Sequence, residues 1–165
     1  MGSLYPFARN HNDNESISQE PYALGKTVLQ SAYNNLKLRY SLLKHYYTVF
    51  IQNEGLTPVL RPLFVQFPLD DNCWKDEVAE TQLLIGASLM STPILTQGAT
   101  SRYAYFHGEN GWFDLATGRW YSQGYHLVED VDLTHTVPLF LKAGALILRQ
   151  DTEGIRSTRQ LSNHF

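Results

Sequence analysis

The chain carries one cysteine, Cys73, among 165 residues, so no internal disulfide can form. That lone thiol reads as a small buried hydrophobe rather than a nucleophile. No window approaches the roughly 18 consecutive apolar residues of a membrane helix, so no membrane segment is expected. A basic stretch followed by an apolar one is missing from the N-terminus, so no signal peptide is expected either. Basic charge is scarce: Lys and Arg number 13 against 16 Asp and Glu, for a net charge of −3. Without a basic cluster the chain lacks the positive field of a nucleic-acid binder, and no nucleic-acid partner is expected. A glycine-rich phosphate loop after a strand is lacking, as is a G-x-S-x-G elbow, which sets aside nucleotide-binding and serine-hydrolase chemistry of those types. His11 and Asp13 could ligate a metal, yet no third or fourth ligand stands at a recognisable spacing. Neither a metal nor a cofactor is therefore expected.

The hydrophobic share is 43% and the charged share 18%, the balance of a folded protein with a sizeable core. Its length suits one domain or two small ones. Aromatic residues reach 13%. Rings stack on sugars and fill β-rich cores equally well, so this enrichment does not discriminate. The run from Ser3 to Asp13 is more informative. Leu4, Tyr5, Pro6, Phe7 and Ala8 read as a buried strand, and Arg9, Asn10, His11, Asn12 and Asp13 as a dense polar tip. Such a change is the pattern at the mouth of a β/α barrel, where chemistry sits at the C-terminal ends of parallel strands. An ordinary strand followed by a polar turn has the same composition.

A polar loop follows from Asn12 to Gly25, with an N-glycosylation sequon at Asn14, Glu15 and Ser16. Thr27 with Gln30 predicts a capping box that opens a long helix. Leu29, Ala32, Tyr33, Leu36, Tyr40, Leu43, Tyr47 and Phe50 recur by threes and fours and predict its core-facing stripe, with Gly55 as the stop. His45 is expected to be packed or at the surface. Residues 57–68 are β-rich between prolines, and Arg61 inside them is expected to pair with a carboxylate. Asp70 and Asp71 read as a solvated turn. Residues 76–85 predict a short helix ending at Gly86, and 88–95 a strand. From Gly98 onward short β-patterned runs alternate with turns: 103–106, 111–114, a hairpin at Thr117 and Gly118, and 137–150. Asp114 reads as a turn-capping aspartate.

The words of these motifs resemble glycoside hydrolase family 31. Residues 5–12 (YPFARNHN) are similar to its "F-Y-P-F-S-R-N-H-N" signature, and 38–50 to its "L-R-Y-x-L-L-P-Y-x-Y-x-L-F" helix, with Lys44 in place of the proline. Removing that proline is expected to straighten the helix. Residues 57–68 resemble "P-V-x-R-P-L-F-x-E-F-P", residues 88–95 "L-L-V-x-P-V-L", and the segment from Trp112 to Gly118 "W-Y-D-x-x-T-G". Residues 137–150 resemble "P-V-F-L-R-G-G-x-I-I-P-x-Q", with Lys142, Ala143 and Leu148 as departures. The motifs stand in the family's order.

The resemblance implies an α/β then β architecture. Residues 1–56 would supply the last strand and helix of a (β/α)8 barrel, 57–150 an antiparallel β-sandwich (the proximal C-terminal domain), and 151–165 the start of a further segment. It implies a fragment of a retaining α-glucosidase acting on α-linked, maltose-type oligosaccharides, with Arg9 and His11 binding substrate. Such enzymes use a nucleophilic carboxylate and an acid/base carboxylate. The "W-x-D-M-N-E" nucleophile motif does not occur in this sequence, so no catalytic residue is assigned within it. The missing N-terminal part of the same enzyme is an implied partner, and the isolated chain is expected to be inactive. A secretory, lysosomal or cell-surface location is implied by analogy. A non-catalytic carbohydrate-binding or interaction module is the alternative.

Overall fold

In the computed structural model, which describes residues 1–161, helices precede a group of short antiparallel strands. Helix α1 runs Lys26–Ser41 and α2 Leu43–Gln52. The predicted capping box does not form. The helix begins one residue early, behind Gly25 at φ 99°, and Gln30 Nε2 donates instead to Asn34 Oδ1 at 2.8 Å. Straightening also fails, despite the lost proline. At Leu42 (φ −97°, ψ −2°) α1 ends and α2 begins. The cause is a diverted acceptor: the Ser41 carbonyl takes the Gln150 N–H at 3.0 Å, and the Ser41 hydroxyl bonds back to the Leu38 carbonyl at 2.7 Å. A carbonyl held by a distant segment is lost to the helical ladder, and the helix bends there.

Beyond the helices come β1 (Leu60–Pro62), α3 (Leu63–Gln66), α4 (Asp76–Ala79), β2 (Leu83–Ile85) and β3 (Leu89–Ser91). These correct two expectations. A third of the β-rich 57–68 run is a helical turn, and the predicted 76–85 helix yields to strand after one turn. The remaining elements are β4 (Arg102–Phe106), β5 (Trp112–Asp114), β6 (Trp120–Tyr121), β7 (Gly124–Val128), β8 (Leu139–Lys142) and α5 (Thr158–Leu161). Six strands form one antiparallel sheet in the order β1-β2-β3-β8-β5-β6, and β4 pairs with β7 in a second.

Alternation along these strands buries both faces of the larger sheet near its centre. Leu84, Met90, Phe140, Trp112 and Tyr121 join Ala104, Phe106 and Val128 of the smaller sheet in one core. Phe106 stacks on Tyr121 at 4.8 Å and meets Phe140 edge-on at 4.9 Å. The alternate residues Ile85, Leu89 and Leu139 pack with Leu42, Tyr46 and Val49 of the helical segment. Gly86, at φ +66°, permits that approach, because a Cβ there would lie 2.7 Å from Val49 Cγ2.

The predicted helical stripe is not the buried one. Tyr33, Leu36, Tyr47 and Phe50 are exposed, while Leu42, His45, Tyr46 and Val49 are buried. The break at Leu42 changes the helical phase, and the sheet covers only the second half of the helix. His45 is buried, its Nε2 at 3.2 Å from the Ile85 carbonyl. Arg61 corrects another expectation: its Nε donates to the Gly86 carbonyl at 3.2 Å, and no salt bridge among the described residues includes it.

Candidate functional site

The opening run is not a strand. Residues Gly2–Leu4 make a single 3-10 turn, and the chain then continues as a loop to Glu20. A parallel barrel strand takes its hydrogen bonds from strands on either side, and no described strand lies beside this one. Its carbonyls are satisfied from the helices instead. Arg39 donates from Nη1 to the Ser3 carbonyl at 2.7 Å and to that of Tyr5, and from Nη2 to that of Pro6 at 2.8 Å. The Tyr46 hydroxyl donates to the Leu4 carbonyl, and Leu4 itself is buried. Arg39 therefore positions the run. Its isolation from the apolar stripe was the signal available in sequence; its partners were not.

Arg9 and His11 both lie exposed beyond this clamp. The amides between and after them tie the loop to itself. Asn10 Nδ2 reaches the Gln19 carbonyl at 2.9 Å, and Asn12 Nδ2 the Ile17 carbonyl at 2.8 Å. Asp13 accepts from the Ser16 hydroxyl at 2.7 Å and the Glu15 N–H at 3.1 Å, which lowers its pKa. The loop thus presents Arg9 and His11 from one short segment. Neither lines either of two clefts beside α1. One, of about 710 Å³, lies between α1 and the sheets and carries Lys37, Asp114, Arg119, Glu129 and Arg149. The other, of about 840 Å³, is bounded by α1 and residues 93–100 and 131–138. Asp114 behaves as read from sequence, its Oδ1 accepting the N–H groups of Ala116 (2.7 Å) and Thr117 (3.0 Å).

Asp70 departs from the solvated turn expected of it. It accepts from the Tyr105 hydroxyl at 2.6 Å, His107 Nδ1 at 2.7 Å, and the Asn72 N–H and Nδ2 at 3.0 and 3.2 Å. Burial pushes its pKa up, but these hydrogen bonds together outweigh it and bring it down to about 2. Cys73 is buried as expected, and burial with the Asp70 charge pushes its thiol up to about 12. Among the described residues, Asp70, Cys73 and His107 form the one group of three potential metal ligands, their ligand atoms all within 4.8 Å of one another. His11 and Asp13 are not in it. Sequence spacing could not show this, because His107 reaches the group from the far end of β4.

Comparison with known proteins settles the family. The model for the glycosyl hydrolase family 31 C-terminal domain matches residues 56–147, and that for the family 31 TIM-barrel domain matches 1–49. The chain belongs to glycosyl hydrolase family 31. It is 33% identical to the lysosomal acid alpha-glucosidase of Tetrahymena pyriformis over 180 residues, covering 100% of the chain and 19% of that protein. Identity to alpha-glucosidase 2 of Bacillus thermoamyloliquefaciens is 37% over 166 residues, covering 99% and 20%. The chain thus spans about a fifth of the length of these relatives. Among solved structures, the glucosidase II alpha subunit superposes with a TM-score of 0.79 at 28% identity, covering 91% of the chain and 16% of its own. A family 31 dextranase of Flavobacterium johnsoniae gives 0.72 at 26%, covering 81% and 16%.

Proposed function

We propose that this chain is the C-terminal portion of a retaining α-glucosidase that releases terminal α-linked glucose from maltose-type oligosaccharides. The observation that carries the reading is the order of the two family matches, barrel over 1–49 and C-terminal domain over 56–147. Residues 1–56 then supply the end of the (β/α)8 barrel, 57–150 the proximal β-sandwich, and 151–165 the start of a further segment. Arg9 and His11 bind sugar hydroxyls at the barrel mouth, where a cation and an imidazole also favour the hydroxyl arrangement of an oxocarbenium-like transition state. The nucleophile and the acid/base come from the preceding part of the same enzyme.

The purified chain is expected to show no turnover of maltose or a nitrophenyl α-glucoside; clear turnover overturns the assignment. When the chain replaces the matching segment of the Bacillus relative, activity is expected to survive. In that chimera His11→Ala should lower kcat/KM by at least about a hundredfold, a loss of about 2.7 kcal/mol in transition-state binding. Unchanged kcat/KM removes His11 from the site.

A second reading, a non-catalytic carbohydrate-binding module, is favoured by one pair of rings. Phe113 and Trp120 are register partners on β5 and β6, and both remain exposed on one sheet face. Calorimetry with maltose distinguishes the two: micromolar binding by the isolated chain favours the module, and no heat favours the fragment.

A further inference from the structure

We infer that Asp70, Cys73 and His107 form a binding site for a borderline-soft divalent cation of the Zn²⁺ type. The inference does not depend on the glucosidase reading. Three residues from two separate elements converge here. Asp70 and Cys73 come from the 3-10 turn at Asp71–Trp74 and its N-cap, and His107 from the residue after β4. Their ligand atoms lie within 4.8 Å of one another. A carboxylate oxygen, an imidazole nitrogen and a sulfur make a mixed donor set, which suits zinc better than calcium or magnesium, both of which take oxygen ligands.

The surroundings hold these groups in place. Asn72 donates twice to Asp70, and the Tyr105 hydroxyl fixes its Oδ2 at 2.6 Å. Hydrogen bonds of this kind orient a ligating carboxylate. The His107 ring stacks on Phe67 at 3.8 Å, and its carbonyl accepts the Trp112 indole N–H at 2.8 Å. Access is from one side: the His107 side chain is 27% exposed, whereas Cys73 is fully buried.

Zinc bonds of about 2.0–2.3 Å in a tetrahedron place ligand atoms about 3.3–3.8 Å apart. The ion would therefore replace the 2.7 Å hydrogen bond between His107 Nδ1 and Asp70 by opening it, while drawing the cysteine sulfur inward. The imidazole binds through Nδ1 with its proton on Nε2, and the cysteine binds as thiolate after passing one proton to solvent. Three protein ligands leave the fourth position to water.

The test is Co²⁺ and Zn²⁺ titration of the whole 165-residue chain. One Co²⁺ per chain is expected to give a thiolate-to-metal charge-transfer band together with intense tetrahedral d–d absorption, and Zn²⁺ to displace it. His107→Gln, at a partly exposed ring, should weaken Zn²⁺ binding at least about tenfold, and Cys73→Ser should abolish the charge-transfer band. His135→Gln, at the exposed pair with Asp132, should change neither. A folded chain without the band overturns the site, as does a band surviving in Cys73→Ser or an affinity unchanged in His107→Gln. Should Cys73→Ser fail to fold, the wild-type Co²⁺ spectrum and His107→Gln still decide the matter.

Discussion

At the scale of single residues, two buried polar side chains bond backbone groups of the strands. Gln82 is fully buried. Its Nε2 donates to the Tyr105 carbonyl and its Oε1 accepts the Tyr105 N–H, each at 2.8 Å, so the amide serves β4 as a substitute strand neighbour. Gln82→Leu keeps the volume but strands both backbone groups. A loss of about 2–4 kcal/mol in urea unfolding is expected, and a change below about 0.5 kcal/mol would contradict the account. His45 is the other case. Burial lowers its pKa, and the hydrogen bond to Ile85 offsets this only in part. The unfolded chain therefore takes up a proton at a higher pH than the folded one. His45 contributes its stability fully above about pH 6.5 and loses it as pH falls through that value towards the depressed folded pKa. Between about pH 8 and about pH 5.5, His45→Gln should lose less stability than the parent. An imidazole titrating at or above the free value, followed by NMR, would sink this.

At the scale of elements, sequence reading was strongest where the pattern was local. The helical segment, the hairpin around Thr117 and Gly118 and the aspartate cap at its tip all followed from spacing and turn chemistry. It failed where a distant group intervened. The helix breaks because Gln150 takes the Ser41 carbonyl, a partner more than a hundred residues away. The opening run lost its strand because strand pairing needs neighbours, and Arg39 supplies its hydrogen bonds in their place. Arg9 and His11 are assigned by the motif alone, and the structure shows them only as exposed loop residues. The Arg39 clamp beneath them, and the convergence of His107 on Asp70, could not be read from sequence. The clamp has a measurable consequence. Arg39→Met retains the alkyl stem but frees three carbonyls, so residues 3–13 should open more readily than the rest. Limited proteolysis within that run is expected to quicken about tenfold, or about 1.4 kcal/mol in local opening, with far-UV circular dichroism unchanged. Equal cleavage rates would show that Tyr46 and Leu4 suffice.

At the scale of the whole molecule, the same sheet that buries Val49 leaves the other side of the helical segment uncovered. Tyr33, Leu36, Tyr47 and Phe50 belong to the stripe that the spacing predicts to face the core, and the amphipathic pattern is real. What the pattern cannot say is which surface covers it. Here the sheet lies against Leu42, His45, Tyr46 and Val49, so the stripe faces outward with Tyr47 70% exposed. Tyr47 and Phe50 lie exposed one turn apart on α2, and exposed rings so placed mark association surfaces or aggregation liabilities. The 165-residue chain should therefore bind a hydrophobic dye strongly and show a mass in light scattering that rises with concentration. Replacing Tyr47 and Phe50 together by Glu adds repulsion to that face without touching the buried one. Both signals should fall at least about threefold while the helical circular dichroism holds. A parent chain that stays monomeric and dark to the dye would mean that this face is covered in solution.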